Sequence, residues 1–363
     1  MLSTGVSDHF STTYAQAREK FLEAGRAAGA ELTSYRHPAK GPSGEGLFCD
    51  VARLGPEDAR QAILVVSATH GVEGFCGSGV QVGLMRTPEI SPDRVALLLI
   101  HAINPYGFAW LRRVTEDNVD LNRNFVDHEA GQYPENLGYE QLAEALVPRN
   151  WDEESLAASQ RVLDAYAAEH GLLGLQTAIS SGQYRHSDGV FFGGTRTSWS
   201  RRTLERIVTS QLDGVSAAAL IDIHTGLGPY AYGEPISVQA PHTSGHARAR
   251  AWYGEDVTSP EGGTSTSPTV TGDLGSGVER TVSRVQWTGI ALEYGTLPIS
   301  DVLDALRADA WLHARGDLES ELGKRIKADI RRAFYPDEPE WKKKVWARAV
   351  DMVGRAAAGL EGA

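Results

Sequence analysis

One apolar segment that ends in a histidine and a carboxylate constrains this chain more than any other feature. The run from Ala62 to Ala68 is apolar and β-branched, and the chain then becomes polar and glycine-rich up to Gly74. Such a run is typical of a strand buried on both faces, as in the parallel sheets of α/β proteins. Ligands of these proteins bind beyond the carboxyl ends of the strands. His70 and Glu73 follow this strand directly, so we expect a functional loop here.

The spacing of His70 and Glu73 suits a metal ion. A loop imidazole and a carboxylate three residues later can reach the same ion, and zinc accepts this mixed pair when a third protein ligand is present. The alternative is structural, with His70 capping the strand and Glu73 solvated. Glycines crowd the same turn and favour the metal site, because they would let the backbone pass close to a bound group; they are Gly71, Gly74, Gly77 and Gly79.

Composition narrows the class of protein. A chain of 363 residues with 41% hydrophobic content can form one large α/β domain with additions or two modest domains. A formal net charge of −12 argues against a nucleic-acid-binding surface. Cys49 and Cys76 are too few for a disulfide framework and fit a reducing cytosol. With no signal peptide and no long apolar window, we expect a cytoplasmic protein that acts on small molecules or short peptides, without nucleic acid or membrane.

Three further apolar runs repeat the pattern of a buried strand. Residues 95–100 lead to His101, residues 217–223 lead to His224, and residues 288–296 contain one carboxylate, Glu293. His101 is either an alternative metal ligand or a hydrogen-bonded structural group. His224 is likewise either a metal ligand or a structural residue. Burying Glu293 would be costly without a task or a partner, which predicts either a general base or an ion pair. Asp222 lies on the same strand face as His224 and could orient a neighbour.

A polar stretch at 111–125 is rich in arginine, acids and amides. Arg112, Arg113, Asn122 and Arg123 all lie in it. A guanidinium offers a planar, two-pronged donor for a carboxylate, so this stretch predicts a substrate-gripping segment. The alternative is a solvated loop with ion pairs.

The other segments predict scaffold elements. We expect a mixed, largely parallel, doubly wound α/β sheet with helices on both faces, in a single domain spanning 1–363. The first half of the chain predicts an opening helix at 14–32, an edge strand at 47–52 and a helix at 77–85 that ends before Pro88 and Pro92. A helical insertion around 127–172, with helices at 139–146 and 153–169, and a glycine-rich loop at 262–277 follow. The C-terminal region at 301–363 is predicted to be helical and is a candidate homo-oligomer surface. His186 is predicted to lie at the surface or to contact substrate.

Four motifs in this order resemble the zinc carboxypeptidase superfamily. They are H-G-V-E at 70–73, D-L-N-R-N at 120–124, I-H-T-G around His224 and L-E-Y-G around Glu293. The resemblance covers about residues 63–296. It is strongest to the branch of aspartoacylase and succinylglutamate desuccinylase and to bacterial relatives with the same motif order.

This resemblance implies a role for each matched residue. The implied ligands of one zinc ion per chain are His70, Glu73 and His224, and the implied catalytic base is Glu293. Asn122 and Arg123 match the pair that grips a substrate carboxylate. Arg113 matches the arginine that polarises the scissile carbonyl, and Arg112 is the alternative match.

The activity implied by the resemblance is zinc-assisted hydrolysis of an amide bond next to a free carboxylate, as in N-acyl amino acids or short peptides. A metallocarboxypeptidase acting on peptide C-termini and a non-catalytic binding protein of the same fold are the alternatives. The chain has no G-x-S-x-G elbow, which argues against a serine hydrolase.

Overall fold

A seven-stranded mixed sheet forms the centre of the protein in a computed structural model that describes residues 5–87 and 94–362. The strands are β1 (Glu31–Lys40), β2 (Gly46–Leu54), β3 (Gln61–Val66), β4 (Ala96–His101), β5 (Ala217–Tyr230), β6 (Glu234–Ser237) and β7 (Gln286–Gly295). Their order across the sheet is β1-β2-β4-β3-β5-β7-β6. The three central pairings, β4/β3, β3/β5 and β5/β7, are parallel, and the three outer pairings are antiparallel. The mixed α/β fold expected from the sequence is confirmed.

Helices cover both faces of this sheet. They are α1 (Tyr14–Ala27), α2 (Gly74–Arg86), α3 (Pro105–Ala109), α4 (Leu137–Leu146), α5 (Glu153–Ser180), α6 (Trp199–Gln211), α7 (Ser244–Tyr253), α8 (Leu274–Thr281), α9 (Ile299–Arg315), α10 (Glu321–Phe334) and α11 (Pro339–Glu361). Side chains of α1, α2 and α11 join one core with Ile63 and Val65, whereas α6 and α8 join a second core with Leu64. Alternate residues of one strand therefore enter opposite cores, as the pleat of a strand requires.

The register of the parallel strands brings the predicted site residues to one edge. Val66, the last residue of β3, is level with Asp222 of β5, and His224 is level with Glu293 of β7. Both faces of these strands are buried, which explains their continuously apolar sequences. The loop after β3 therefore opens beside the carboxyl ends of β5 and β7.

Several local predictions need correction. The opening helix ends at Ala27 rather than at Leu32, because the chain turns at Gly29, whose φ is +71°, and enters the unpredicted strand β1. Strand β2 is interior rather than an edge strand, since β1 pairs along its outer side. Helix α2 begins at Gly74 and ends at Arg86, and the predicted stops at Pro88 and Pro92 lie outside the described residues. Strand β6 and helices α3, α6, α7 and α8 were also not predicted, and α8 begins at Leu274, inside the predicted glycine-rich loop.

Helices α4 and α5 occupy the stretch for which the sequence predicted a helical insertion. Helix α5 extends beyond the predicted end at residue 169. The chain kinks at Gly171, with φ 77° and ψ 165°, and a second helical part then continues to Ser180. Helices α9, α10 and α11 correspond to the predicted C-terminal helices. Within the described ranges, no helix is long and apolar enough to cross a membrane.

Candidate metal centre

Three side chains from distant parts of the sequence converge beyond the strand ends. The Nδ1 atoms of His70 and His224 lie 3.2 Å apart. Oε1 of Glu73 lies 2.9 Å from Nδ1 of His70, and Oε2 lies 3.1 Å from Nδ1 of His224. All three residues are buried. Their arrangement could hold a metal ion.

The loop that carries His70 and Glu73 is held by close backbone packing. After β3, the chain passes Ala68 with φ 59° and forms a single 3-10 turn at Gly71–Glu73. The N–H of Gly71 donates to the carbonyl of Arg113 over 3.0 Å. A Cβ atom on Gly71 would lie 2.1 Å from the carbonyl carbon of Gly107. Gly71 is therefore required by the contact between this turn and α3.

The glycines of this turn are required by contacts within the protein, a role that the sequence did not predict. A Cβ atom on any of the other three would also meet protein atoms within 3 Å: Phe108 and Ala68 for Gly74, Ser67 for Gly77, and Phe10 for Gly79. These glycines let α2 and α3 pack closely around the strand end.

A second layer of carboxylates orients both histidines. Nε2 of His70 lies 3.2 Å from Oδ1 of Asp120, and Nε2 of His224 lies 2.8 Å from Oδ2 of Asp222. Thr69 Oγ1 donates to Oδ1 of Asp222 over 2.7 Å. Each imidazole thus turns Nε2 toward a buried aspartate and Nδ1 toward the other histidine. An outer N–H bonded to a carboxylate and an inner nitrogen free to bind is the usual state of a metal-binding histidine.

The distances within the cluster are compatible with a bound metal ion. Four ligands about 2.0–2.1 Å from a tetrahedral ion lie roughly 3.3 Å from one another. The 3.2 Å between the two Nδ1 atoms is close to this value, and Glu73 offers a different oxygen to each imidazole, at 2.9 and 3.1 Å. Two Nδ1 lone pairs facing each other repel unless a cation or a proton lies between them. The residues present therefore fit a bound metal.

Charge in this cluster is balanced by the buried partners. Burial alone would raise the pKa of Glu73, but the charge of His70 and hydrogen bonds to His224 and His70 lower it well below its usual range. Burial opposes protonation of His224, yet Asp222 and Glu73 raise the pKa of its imidazole well above the usual value. For Asp120, burial would raise the pKa, but the charges of Arg113 and Arg123 lower it.

Glu293 stands beside the cluster, and its carboxylate is held by the backbone. Its Oε1 accepts a hydrogen bond from the N–H of Leu227 over 3.0 Å. Burial and the negative charge of Glu73 raise the pKa of Glu293 to about 8. No ion pair to this carboxylate occurs among the residues that the structure describes. The structural ion pair considered as an alternative is therefore not formed.

Arg113, rather than its neighbour Arg112, reaches the centre. Arg113 donates through Nε to Oδ2 of Asp120 over 3.0 Å and through Nη1 to Oε1 of Glu73 over 3.2 Å. Arg112 donates through Nε to Asp309 over 3.0 Å and through Nη2 to Asn118 over 2.8 Å. These contacts hold Arg112 in a buried ion pair behind the site.

Asn122 and Arg123 lie on the other side of the same opening. Oδ1 of Asn122 accepts from the N–H of Leu274 over 2.9 Å, which leaves its amide nitrogen directed away from this contact. Arg123 donates through Nε to the carbonyl of Ser180 over 3.2 Å. The ring of Phe191 lies 5.4 Å from the guanidinium carbons of both Arg113 and Arg123. Cation–π contacts of this kind restrict where the guanidinium groups can move.

A cavity of about 610 Å³ joins these residues. The predicted site residues that line it are His70, Arg113, Asn122, Arg123, His224 and Glu293. Glu73 forms contacts beneath it, and Arg112 is absent from its lining. The volume falls in the range of small-molecule binding sites, about 300–1,000 Å³.

The other two histidines considered from the sequence lie away from the cluster. Nε2 of His101 lies 2.9 Å from Ser78 Oγ, and its ring stacks on Phe21 at 4.5 Å. His101 is therefore a packed structural group rather than a ligand of this cluster. His186 contacts the carboxylate of Glu140 at 3.1 Å near the surface.

Sequence reasoning missed two residues at this site. Asp120 contacts both His70 and Arg113, and its position at the head of the D-L-N-R-N motif was an available signal. Phe191 has a positive φ of 55° and packs between two arginines. Nothing in the local sequence signals that role, because it depends on contacts with segments about 70 residues away.

Comparison with known families and structures places the chain among proteins of similar fold. Residues 10–348 match the model of a family described as protein of unknown function (DUF2817). A search of curated protein sequences gave no match. The structure of bovine thrombin-activatable fibrinolysis inhibitor, solved with a tick carboxypeptidase inhibitor, aligns with a TM-score of 0.51 at 10% identity and covers 98% of each chain. The carboxypeptidase-like fold expected from the motifs is confirmed.

Two bacterial structures show weaker similarity. An aspartoacylase family protein from Mesorhizobium loti aligns with a TM-score of 0.38 at 16% identity, covering 80% of this chain and 68% of that one. The succinylglutamate desuccinylase from Chromobacterium violaceum aligns with a TM-score of 0.39 at 14% identity, covering 83% of this chain and 73% of that one.

The packing of the His70 turn predicts a sharp difference between two glycine substitutions. Gly71→Ala should lower the free energy of unfolding by about 1–3 kcal/mol, the usual cost of overpacking, because its Cβ meets the backbone of Gly107. Gly354→Ala in α11 meets nothing within 4 Å and should leave stability unchanged or raise it by up to about 1 kcal/mol. Urea-induced unfolding of both variants measures the difference. Equal stabilities would contradict the packing of this turn.

Proposed function

Because this chain belongs to the DUF2817 family, whose description names no activity, we propose a function from its geometry: a zinc-dependent hydrolase that cleaves an amide bond next to a free carboxylate. The observation that carries the proposal is the convergence of two Nδ1 atoms and one carboxylate beside a cavity that also contains Glu293 and two arginines. Nitrogen and oxygen ligands of this kind suit zinc.

His70, Glu73 and His224 are the proposed zinc ligands. Asp120 and Asp222 keep their imidazoles in the required orientation and tautomer. A zinc ion bound there supplies Lewis acidity and makes water acidic enough to ionise near neutral pH.

Glu293 is the proposed general base. Its Oε1 is held by the N–H of Leu227, and Oε2 remains to accept a proton. Burial and the charge of Glu73 give this carboxylate a higher pKa than that of a solvated one. In its ionised form, Glu293 can take a proton from the attacking water and deliver it to the leaving amine nitrogen.

Arg113 is the proposed electrophilic group. Two of its five N–H donors are occupied by Asp120 and Glu73, and the guanidinium faces the cavity with the others. These donors can stabilise the negative charge that develops on the scissile carbonyl oxygen.

Asn122 and Arg123 are proposed to bind the substrate carboxylate. Within the described chain, the Asn122 amide nitrogen makes no hydrogen bond, and both residues line the cavity. Contacts of Arg123 with Ser180 and with the carbonyl of Asn122 fix its guanidinium in place before substrate binds. Such preorganisation favours recognition of a planar anion.

Small N-acyl amino acids suit the cavity better than long peptides, which would make the protein a deacylase rather than a carboxypeptidase. Gln176 of α5 donates through Nε2 to the carbonyl of Thr266 over 3.4 Å. This contact joins α5 to the glycine-rich loop, and residues of both segments line the cavity. A metallocarboxypeptidase acting on peptide C-termini is the second candidate, because the cavity volume also admits a terminal residue and its neighbour.

We also propose a domain organisation and a cellular location for this hydrolase. Residues 1–363 would form one hydrolase domain, in which α4 and α5 are the insertion and α9 to α11 the helical C-terminal region. The two cysteines, Cys49 and Cys76, are free and buried, which fits the reducing cytoplasm.

The proposed ligands predict the metal content. Protein purified without added metal should contain one zinc ion per chain, and His70→Ala or His224→Ala should lose most of it because only two protein ligands remain. His186→Ala, near the surface, is the matched control. Elemental analysis, with circular dichroism to check folding, measures this. Full zinc occupancy in both folded ligand variants, or full activity without metal, would exclude the assignment.

The proposed base predicts a separation between metal binding and turnover. Glu293→Gln should retain zinc and lower kcat by about 10²–10⁴-fold, the range typical for loss of a general base. Glu135→Gln, at an exposed carboxylate, should change neither quantity. Steady-state kinetics and elemental analysis on the same samples test this. Turnover at the wild-type rate in Glu293→Gln would assign the base elsewhere.

The proposed carboxylate grip predicts substrate selectivity. N-acyl amino acids should be cleaved with a kcat/KM at least about 10-fold higher than their carboxyl-amidated forms, because hydrogen bonds to charged groups contribute about 1.5–3 kcal/mol. Arg123→Met should remove this preference, whereas Arg196→Met at the surface should keep it. Equal cleavage of acids and amides by the wild type would refute the role of Arg123. Cleavage of blocked dipeptides alone would favour the carboxypeptidase.

A further inference from the structure

We propose that the acyl group of the substrate is a long aliphatic chain that lies in an apolar slot lined by α5 and α9. The slot is formed by Leu172, Leu175 and Ile179 of α5 and by Ile299, Val302 and Leu303 of α9, all of which line the cavity. This inference rests on the proposed hydrolase function and names the substrate class for it.

Each wall of the slot is one apolar stripe of a helix. The three α5 residues are spaced i, i+3 and i+7, and the three α9 residues i, i+3 and i+4, which are the spacings of a single helix face. Side chains from both helices also pack together in one core cluster that includes Ile179 and Val302. The only carboxylate among the α9 lining residues, Asp304, is paired with Arg307 at 2.8 Å. Two aliphatic helix surfaces therefore line the cavity.

The inner end of the slot reaches the metal centre. Gly226 follows His224 by two residues, and a Cβ atom on it would lie 3.0 Å from the Phe334 ring and 3.7 Å from Val302. Thr225 Oγ1 also donates to the carbonyl of Phe334 over 2.7 Å. Val302 of the slot therefore lies next to the strand end that carries His224.

The outer end of the slot is open and apolar. Leu172 is 80% exposed, Leu173 is 73% exposed and Ile299 is 53% exposed. They are three of the seven large apolar side chains that stand exposed in the described parts of the chain, and all three line this cavity. The kink at Gly171 places the two leucines directly after the break in α5. Exposed apolar side chains grouped around one opening indicate an apolar ligand.

The cavity is lined by both polar and apolar groups. Arg113, Asn122 and Arg123 offer donors for a carboxylate, whereas the slot offers aliphatic carbon. An acetyl group is too short to cover the α5 stripe, which extends over about 10 Å from Leu172 to Ile179. A carboxylate head with a long aliphatic tail matches both parts.

Chain length is the variable that tests the slot. A series with one amino-acid head and acetyl, butanoyl, octanoyl or dodecanoyl groups should show kcat/KM rising by about fourfold per methylene, the equivalent of the transfer of one CH₂ out of water. The kcat/KM for the octanoyl substrate should exceed that for the acetyl substrate by at least about 100-fold. Equal kcat/KM across the series would overturn the proposal.

A rim variant tests where the chain lies. Leu172→Gln with Leu173→Gln should lower kcat/KM for the dodecanoyl substrate by about 10-fold and leave the acetyl substrate unchanged. Both side chains are exposed, so folding should be unaffected. The matched control is Leu137→Gln with Val162→Gln, which replaces two exposed apolar side chains outside the cavity. An equal loss in the control, or no loss in the rim variant, would place the chain elsewhere.

Calorimetric binding separates failure of the slot from failure of the hydrolase. Turnover of every substrate without dependence on chain length would refute the slot and leave the hydrolase in place. A protein that turns over none of these compounds would refute the hydrolase. The slot would still be supported if this protein bound dodecanoyl compounds more tightly than acetyl compounds and if the rim variant bound them more weakly.

Discussion

The pairing of each buried histidine with a buried aspartate is the interaction on which the site depends. His70 and His224 contact Asp120 and Asp222 through Nε2, and their Nδ1 atoms therefore face each other. Buried charges are stable only when they are paired and hydrogen-bonded. The other charged groups follow from this pairing, because Arg113 balances Asp120 and Glu73. A neutral replacement for either aspartate would leave an imidazole without orientation.

The central sheet explains why these pairs form where they do. Strand β5 lies between β3 and β7, so that Asp222 is level with the end of β3 and His224 is level with Glu293. Helices α2 and α3 press on the loop after β3 so closely that Gly71 has no room for a side chain. Rigid strands and a tightly packed loop hold the candidate ligands, whereas α5, α9 and the glycine-rich loop form the cavity walls. The proposed metal ligands and the walls of the cavity thus lie in different parts of the fold.

Patterns in the sequence anticipated the buried strands and missed the exposed or short elements. Strand β4 is buried along its whole length and reads as an apolar run, whereas β1 is an edge strand with an irregular burial pattern that includes Pro38. Strand β6 has only four residues, too few to show a period. Helix α6 was missed although its buried Leu204, Ile207 and Val208 have helical spacing. Its signal was present and was not used.

By itself, the sequence determined which chemical groups were available and which of them follow buried strands. His70 and Glu73 are separated by one turn, so local geometry was enough to suggest that they act together. Tertiary structure alone decided that His224, 154 residues from His70, completes the cluster, that Arg113 faces the cavity while Arg112 pairs with Asp309, and that the glycines serve helix packing. The physical reason is that strand order and side-chain direction are set by packing between distant segments, which no local spacing encodes.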